Sequence, residues 1–147
     1  MSDLPGREVH ILLIEDNEGD VILMKAAFAE GKLAKTVHVC STGEEGMSFL
    51  RREGSNGAAP RPDLVLLDLN LPGMSGHDVL RQVKENEDLR EIPVVVMTSS
   101  SAEQDVVQSY RLHANSYIVK PVGMDKLIEI TRAIETFWFQ IVKTPRL

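Results

Sequence analysis

Five short apolar runs, each followed by a stretch with helical spacing, constrain this chain more tightly than any other feature of its sequence. The runs are VHILLI at 9–14, TVHVC at 36–40, LVLL at 64–67, PVVVMT at 93–98 and SYIV at 116–119. Short apolar segments bounded by turn residues read as strands of a parallel sheet buried on both faces. TVHVC alternates branched and polar residues, which also suits a strand. Between the runs, Val21, Met24 and Phe28 recur at helical spacing ahead of Gly31, a plausible helix stop. Thr42 and Glu45 form a capping pair that opens a second helix. A third covers 76–85 with Leu80 and Val83 inward, a weakly patterned fourth covers 102–112, and a last one covers 124–141. Such alternation predicts an α/β, doubly wound, five-stranded parallel sheet with helices on both faces. A chain of 147 residues suits one domain, here residues 9–141, with a polar lead-in at 1–8 and a tail at 142–147.

Composition excludes several classes of function. The chain is 43% hydrophobic and 26% charged with a net charge of −6, which suits a folded protein and offers no basic stripe for nucleic acid. One cysteine, Cys40, cannot form an internal disulfide, and its place in TVHVCS suggests a small buried hydrophobe. No charged leader or apolar run of spanning length is present, so no membrane is expected and the expected compartment is the cytoplasm. Residues 53–63, rich in Gly, Asn and Pro, are expected to form a long, mobile surface loop.

The ends of the runs carry the chemistry. Glu15 and Asp16 follow the first, Asp68 the third, Thr98 closes the fourth and Lys120 follows the fifth. Parallel sheets present ligand sites at the carboxyl ends of their strands, so these groups should converge. Asp68 could instead cap the next helix, Lys120 could make a simple ion pair, and Thr98 could satisfy a backbone group. Together they make a more specific set. Converging carboxylates repel one another unless a hard divalent cation joins them, and magnesium fits, with a backbone carbonyl near Asn70 as a further ligand. Asp68 would then keep one oxygen free as a nucleophile toward phosphorus, with Lys120 neutralising charge and Thr98 donating to a phosphoryl oxygen.

Taken with their order and spacing, the segments ILLIEDN, VLLDLNLPGMSG, PVVVMTSS and SYIVKP resemble the receiver domains of two-component response regulators across residues 9–134. The resemblance implies a (βα)5 flavodoxin-like fold and a phosphoryl group accepted from a histidine kinase onto Asp68. It implies magnesium held by Glu15, Asp16, Asp68 and the Asn70 carbonyl. It gives Thr98 the role of switch hydroxyl, places Ser99 beside it at the phosphoryl group, sets Lys120 against that group and makes the bond to Pro121 cis. Glu15 stands where the family often has Asp, and its longer side chain would reach the metal through water. Tyr117 resembles the family's aromatic switch, which turns inward as Thr98 moves toward the phosphoryl group and reshapes the face formed by the fourth helix, fifth strand and fifth helix. The run YRLHANSYIVKP and the tail are similar to response regulators encoded beside bacterial phytochromes, which implies a light-regulated kinase as donor. With no room for an output domain, signalling would proceed by docking, or through a histidine phosphotransferase in a relay.

Leu127, Ile130, Ile134, Trp138 and Ile141 form one helical stripe, which Phe137 and Phe139 widen beyond the needs of one core face. A homodimer through the face that carries Tyr117 is therefore expected, with Tyr110, Phe137, Trp138 and Phe139 as contacts. His10, His38, His77 and His113 lie in different elements without mutual spacing and suggest neither a metal cluster nor a phosphohistidine. Two alternatives stay open. A haloacid dehalogenase type of phosphatase shares the aspartate and magnesium, but Asn70 occupies the position of its general acid. A receiver-like module that is never phosphorylated would share only the fold.

Overall fold

The computed structural model describes residues 8–120 and 123–136. Its strands are β1 (Val9–Ile14), β2 (Lys35–Cys40), β3 (Leu64–Leu67), β4 (Val94–Thr98) and β5 (Ser116–Val119). They alternate with α1 (Glu18–Ala29), α2 (Gly43–Arg51), α3 (Gly76–Glu85), α4 (Glu103–Arg111) and α5 (Met124–Ile134). The strands form one parallel sheet in the order β2-β1-β3-β4-β5. The chain thus winds outward in both directions from β1, which leaves a crevice beyond the carboxyl ends of β1 and β3.

Period-two alternation sorts the strand residues between two cores. Leu12, Ile14, Val65, Leu67, Val94 and Val96 pack with Met47, Phe49 and Leu50 of α2 and Val79, Leu80 and Val83 of α3. Ile11, Leu13, Leu64, Leu66, Val95 and Met97 pack with Met24 and Phe28 of α1 and Leu127 and Ile134 of α5. Three helices begin on the side-chain caps their sequences offer. Asn17 Oδ1 accepts from the Asp20 N–H at 2.9 Å, Thr42 Oγ1 from Glu45 at 3.0 Å and Ser75 Oγ from Asp78 at 3.2 Å. Ser75, rather than Asp68, therefore caps α3. Far from the crevice, Lys35 joins α1 to α5, its Nζ lying 3.2 Å from Glu135 Oε2 while donating to the Phe28 carbonyl at 2.8 Å.

The fourth helix is as thinly anchored as its pattern suggests: among the described residues of α4 only Ser109 is buried. The stretch 53–63, expected as a long, mobile surface loop, is not exposed throughout. It holds a 3₁₀ turn at Gly54–Asn56, and at its end Asp63 is buried, with Oδ2 accepting the His10 N–H at 2.9 Å. The histidines also depart from their apparent independence, since His10 Nδ1 and His38 Nε2 meet at 3.0 Å across β1 and β2. Cys40 is buried at the end of β2, as expected. Phe137, Trp138, Phe139 and Ile141 lie outside the described residues, as does Pro121.

Candidate functional site

Main-chain pairing places the chemistry. The ladder continues one residue past the strands: Glu15 N–H donates to the Cys40 carbonyl at 2.9 Å, Asp68 to Ile14 at 3.1 Å and Lys120 to Thr98 at 2.8 Å. Each side chain is thereby fixed at the rim. Below it, α3 begins directly against the backbone of Asp68. Gly76 N–H donates to the Leu69 carbonyl at 3.0 Å, and a Cβ at Gly76 would run into the Asp68 carbonyl oxygen and lie 2.5 Å from Leu69 Cα. Only glycine fits there without moving Asp68.

Lys120 is the hub of the rim. Its ammonium donates to Glu15 Oε1 at 2.5 Å, Asp20 Oδ2 at 2.7 Å and Asp68 Oδ2 at 3.3 Å. Glu15 and Asp68 are buried, whereas the Asp20 side chain is 36% exposed. Asp20 was not singled out from the sequence. It sits one turn after Asp16 in the first turn of α1, where an acid is already favoured by the helix dipole, so its type alone carries no extra signal.

Burial raises the Glu15 carboxyl to about 7, and the neighbouring Asp68 raises it further against the pull of Lys120. Burial also opposes ionisation of Asp68. There it is outweighed by hydrogen bonds from Glu15, the Asn70 N–H and Thr98 and by the Lys120 charge, so Asp68 is held below the usual carboxylate range. Desolvation would lower Lys120, but the Asp20 and Glu15 carboxylates outweigh it and hold the amine above its ordinary value. Of the two buried acids, then, Asp68 ionises first and Glu15 only as the pH approaches about 7.

Glu15, Asp16 and Asp68 each offer a carboxylate oxygen, all within 4.8 Å of one another. Hard oxygens about 2.1 Å from one ion stand at most about 4.2 Å apart, so only a small closure brings this triad onto a divalent cation. The donor set fits such an ion. Asp16, Asp20, Asp68, Ser99 and Lys120 line an open depression of about 660 Å³ above it.

The remaining expected residues lie around this rim. Asn70 N–H donates to Asp68 Oδ1 at 3.1 Å, and its amide reaches Thr98 Oγ1 at 3.4 Å. Thr98 itself is fully buried. The Tyr117 hydroxyl donates to the Ser100 carbonyl at 2.8 Å, and the ring packs half-buried against the core that α2 and α3 cover. The aromatic expected to turn inward is thus already tied to the loop between β4 and α4. Tyr110 is exposed on α4, as are Val107 and, on β5, Val119.

The sequence of residues 11–132 matches the model of the response regulator receiver domain. Over 145 residues the chain is 39% identical to response regulator Rcp1 of Synechocystis sp., covering 99% of both chains. Among solved structures it is similar to the phosphorylated cyanobacterial phytochrome response regulator RcpA, with 41% identity, a TM-score of 0.89 and coverage of 95% of this chain and 99% of that one. It is also similar to the Mn(2+)-bound form of Rcp1, with 39% identity, a TM-score of 0.87 and coverage of 94% and 99%.

Proposed function

The chain belongs to the response regulator receiver family, and from that premise we propose that Asp68 takes a phosphoryl group from the phosphohistidine of a sensor kinase. One observation carries this reading: the Asp68 carboxyl group is held at the crevice between β1 and β3, with an ammonium at 3.3 Å and two further acids beside it. An Asp68 oxygen attacks phosphorus as the bond to the kinase histidine breaks, and the imidazole leaves. Asp16 and Asp68, with Glu15 directly or through water and the Asn70 carbonyl, would hold Mg2+. When bound, that ion neutralises charge on the transferring group. Lys120 exchanges part of its hold on the carboxylates for a phosphoryl oxygen, and Thr98 and Ser99 donate to the others. Asn70 carries an amide where a dehalogenase-type phosphatase needs a carboxylic acid, so phosphomonoester turnover is not part of this role.

The acyl phosphate adds close to two negative charges at the rim. Thr98 moves toward them, and the loop between β4 and α4, which Tyr117 holds through Ser100, follows. The α4, β5 and α5 face is the output surface, in keeping with the thin anchoring of α4 and the exposure of Val107, Tyr110 and Val119. On this reading the receiver spans residues 9–141, works in the cytoplasm and forms a homodimer through that face. The likeness to the cyanobacterial phytochrome response regulator RcpA supports a phytochrome as donor kinase, and a histidine phosphotransferase is a further partner of the same chemistry.

Phosphotransfer from a phytochrome kinase to the wild type and to Asp68→Asn, read by intact mass and by light scattering on the same samples, tests the proposal. The wild type should gain one phosphoryl group and Asp68→Asn none. A gain in Asp68→Asn, or a label mapped to another residue, would overturn the site. A monomer at high concentration with and without phosphoryl would remove the dimer.

A further inference from the structure

The strand β3 is entered through Arg61, at the end of the sheet opposite Asp68. Its guanidinium Nη1 donates to the Asp88 carbonyl at 2.5 Å. The other two nitrogens, Nε and Nη2, are buried and have no acceptor among the described residues. These two groups share one edge of the planar fork, the edge that grips a phosphate or carboxylate with two parallel hydrogen bonds. Buried polar groups are nearly always paired, so an unfilled edge of this kind marks a position made for an acceptor.

Its surroundings match an anion. Arg61 lines a cavity of about 450 Å³ with Arg51, Arg52, Asn86, Asp88 and two leucines. Three arginines thus line the cavity with one aspartate, on a chain whose net charge is −6. Arg51 is steadied by Gln82, to which its Nη2 donates at 2.7 Å. Arg52 caps the C-terminus of α2 at φ 56, in the left-handed region where glycine is preferred. Both Arg51 and Arg52 are exposed and can give way as a ligand enters.

We propose that this cavity binds a phosphate group, with the Nε and Nη2 edge of Arg61, now covered by neighbouring protein atoms, turning into it as a bidentate clamp and Arg51 and Arg52 neutralising its charge. Phosphate is favoured over a carboxylate because the surplus of cations over Asp88 matches a dianion, and because its four oxygens can meet several arginines at once. The site lies beyond the opposite ends of the strands from Asp68 and uses none of its residues.

Main-chain amide shifts during titration with inorganic phosphate test the assignment, with chloride and acetate at matched ionic strength as references, on magnesium-free protein. In the wild type, shifts should concentrate at residues 51–52, 61 and 86–89. Arg61→Lys keeps the charge but loses the fork, and should weaken binding about tenfold or more, because two charge-assisted hydrogen bonds are removed. Arg52→Gln, at an exposed position, should weaken it less, and it keeps the test open if Arg61→Lys does not fold. Absent shifts, shifts confined to the rim at Asp68, Ser99 and Lys120, or undiminished binding in both variants would overturn the proposal. Equal shifts with acetate would overturn the choice of phosphate and point to an acidic side chain of another protein.

Discussion

Lys120→Met isolates the role of the ammonium at the rim. The substitution keeps the length of the side chain but leaves Glu15 and Asp68, with side chains only 5% and 8% exposed, beside each other without their shared cation. Removing one partner of a buried ion pair destabilises by about 3–5 kcal/mol. Here the Lys120 side chain is 13% exposed and Asp20 36%, so water screens part of the charge and a loss of about 2–3 kcal/mol is expected at pH 8. With a urea slope of about 2 kcal/mol per molar, the unfolding midpoint should fall by about 1–1.5 M.

The sign of the pH dependence follows from Glu15. Its carboxyl titrates at about 7 in the folded chain against an ordinary 4.5, so its stabilising contribution is present below 4.5 and is lost as pH rises through 7. Without Lys120 the carboxyl moves higher still. The deficit of Lys120→Met should therefore shrink at pH 5 and grow toward pH 8. Magnesium should stabilise the variant more than the wild type, by about 1 kcal/mol at saturation if the ion binds about fivefold more tightly once the competing ammonium is gone. A deficit independent of pH, or equal gains from magnesium in both proteins, would refute the view that one ammonium and one dication serve the same crowded oxygens.

Two further outcomes follow from packing. Gly76→Ala should destabilise by about 1–3 kcal/mol and slow phosphotransfer, because the added methyl meets the Asp68 backbone and must displace it; urea unfolding and intact mass check this, and unchanged phosphotransfer would show that Asp68 does not depend on that contact. The Cys40 thiol is 7% exposed, with burial pushing it up to about 11, so in the folded chain at pH 8 it should react with a thiol reagent only as fast as the protein opens, and at the rate of a free cysteine in denaturant.

Much of the fold could be read because its strands are punctuated. Leu64–Leu67 is bounded by Asp63 and Asp68, and Val94–Thr98 starts just after Pro93, so apolar runs and turn residues leave little freedom in where the strands lie. The capping residues Thr42 and Ser75 fix the starts of α2 and α3 in the same local way. What escaped the sequence depends on register. His38 lies opposite Leu12 and His10 opposite Thr36, so the two rings are diagonal neighbours on one face of adjacent strands. A reading of spacing along the chain has no means to pair them. The burial of Asp63 failed to show for a related reason: its partner, the His10 N–H, belongs to a strand more than fifty residues away.

The site was more legible than its surroundings for a physical reason. In a parallel sheet the residue just past a strand is held by one last main-chain hydrogen bond, as Glu15, Asp68 and Lys120 are, so its side chain is aimed by backbone geometry alone. Chemistry placed there can be recognised from residue type and strand order. Asp20 obeys a different rule, since it reaches Lys120 from the first turn of a helix, where an acid also answers to the dipole and to the Asn17 cap. One residue type then satisfies two demands, and only the 2.7 Å contact separates them. Strand order placed Lys120 at the rim with Glu15 and Asp68, but it could not show that the same ammonium would also hold Asp20.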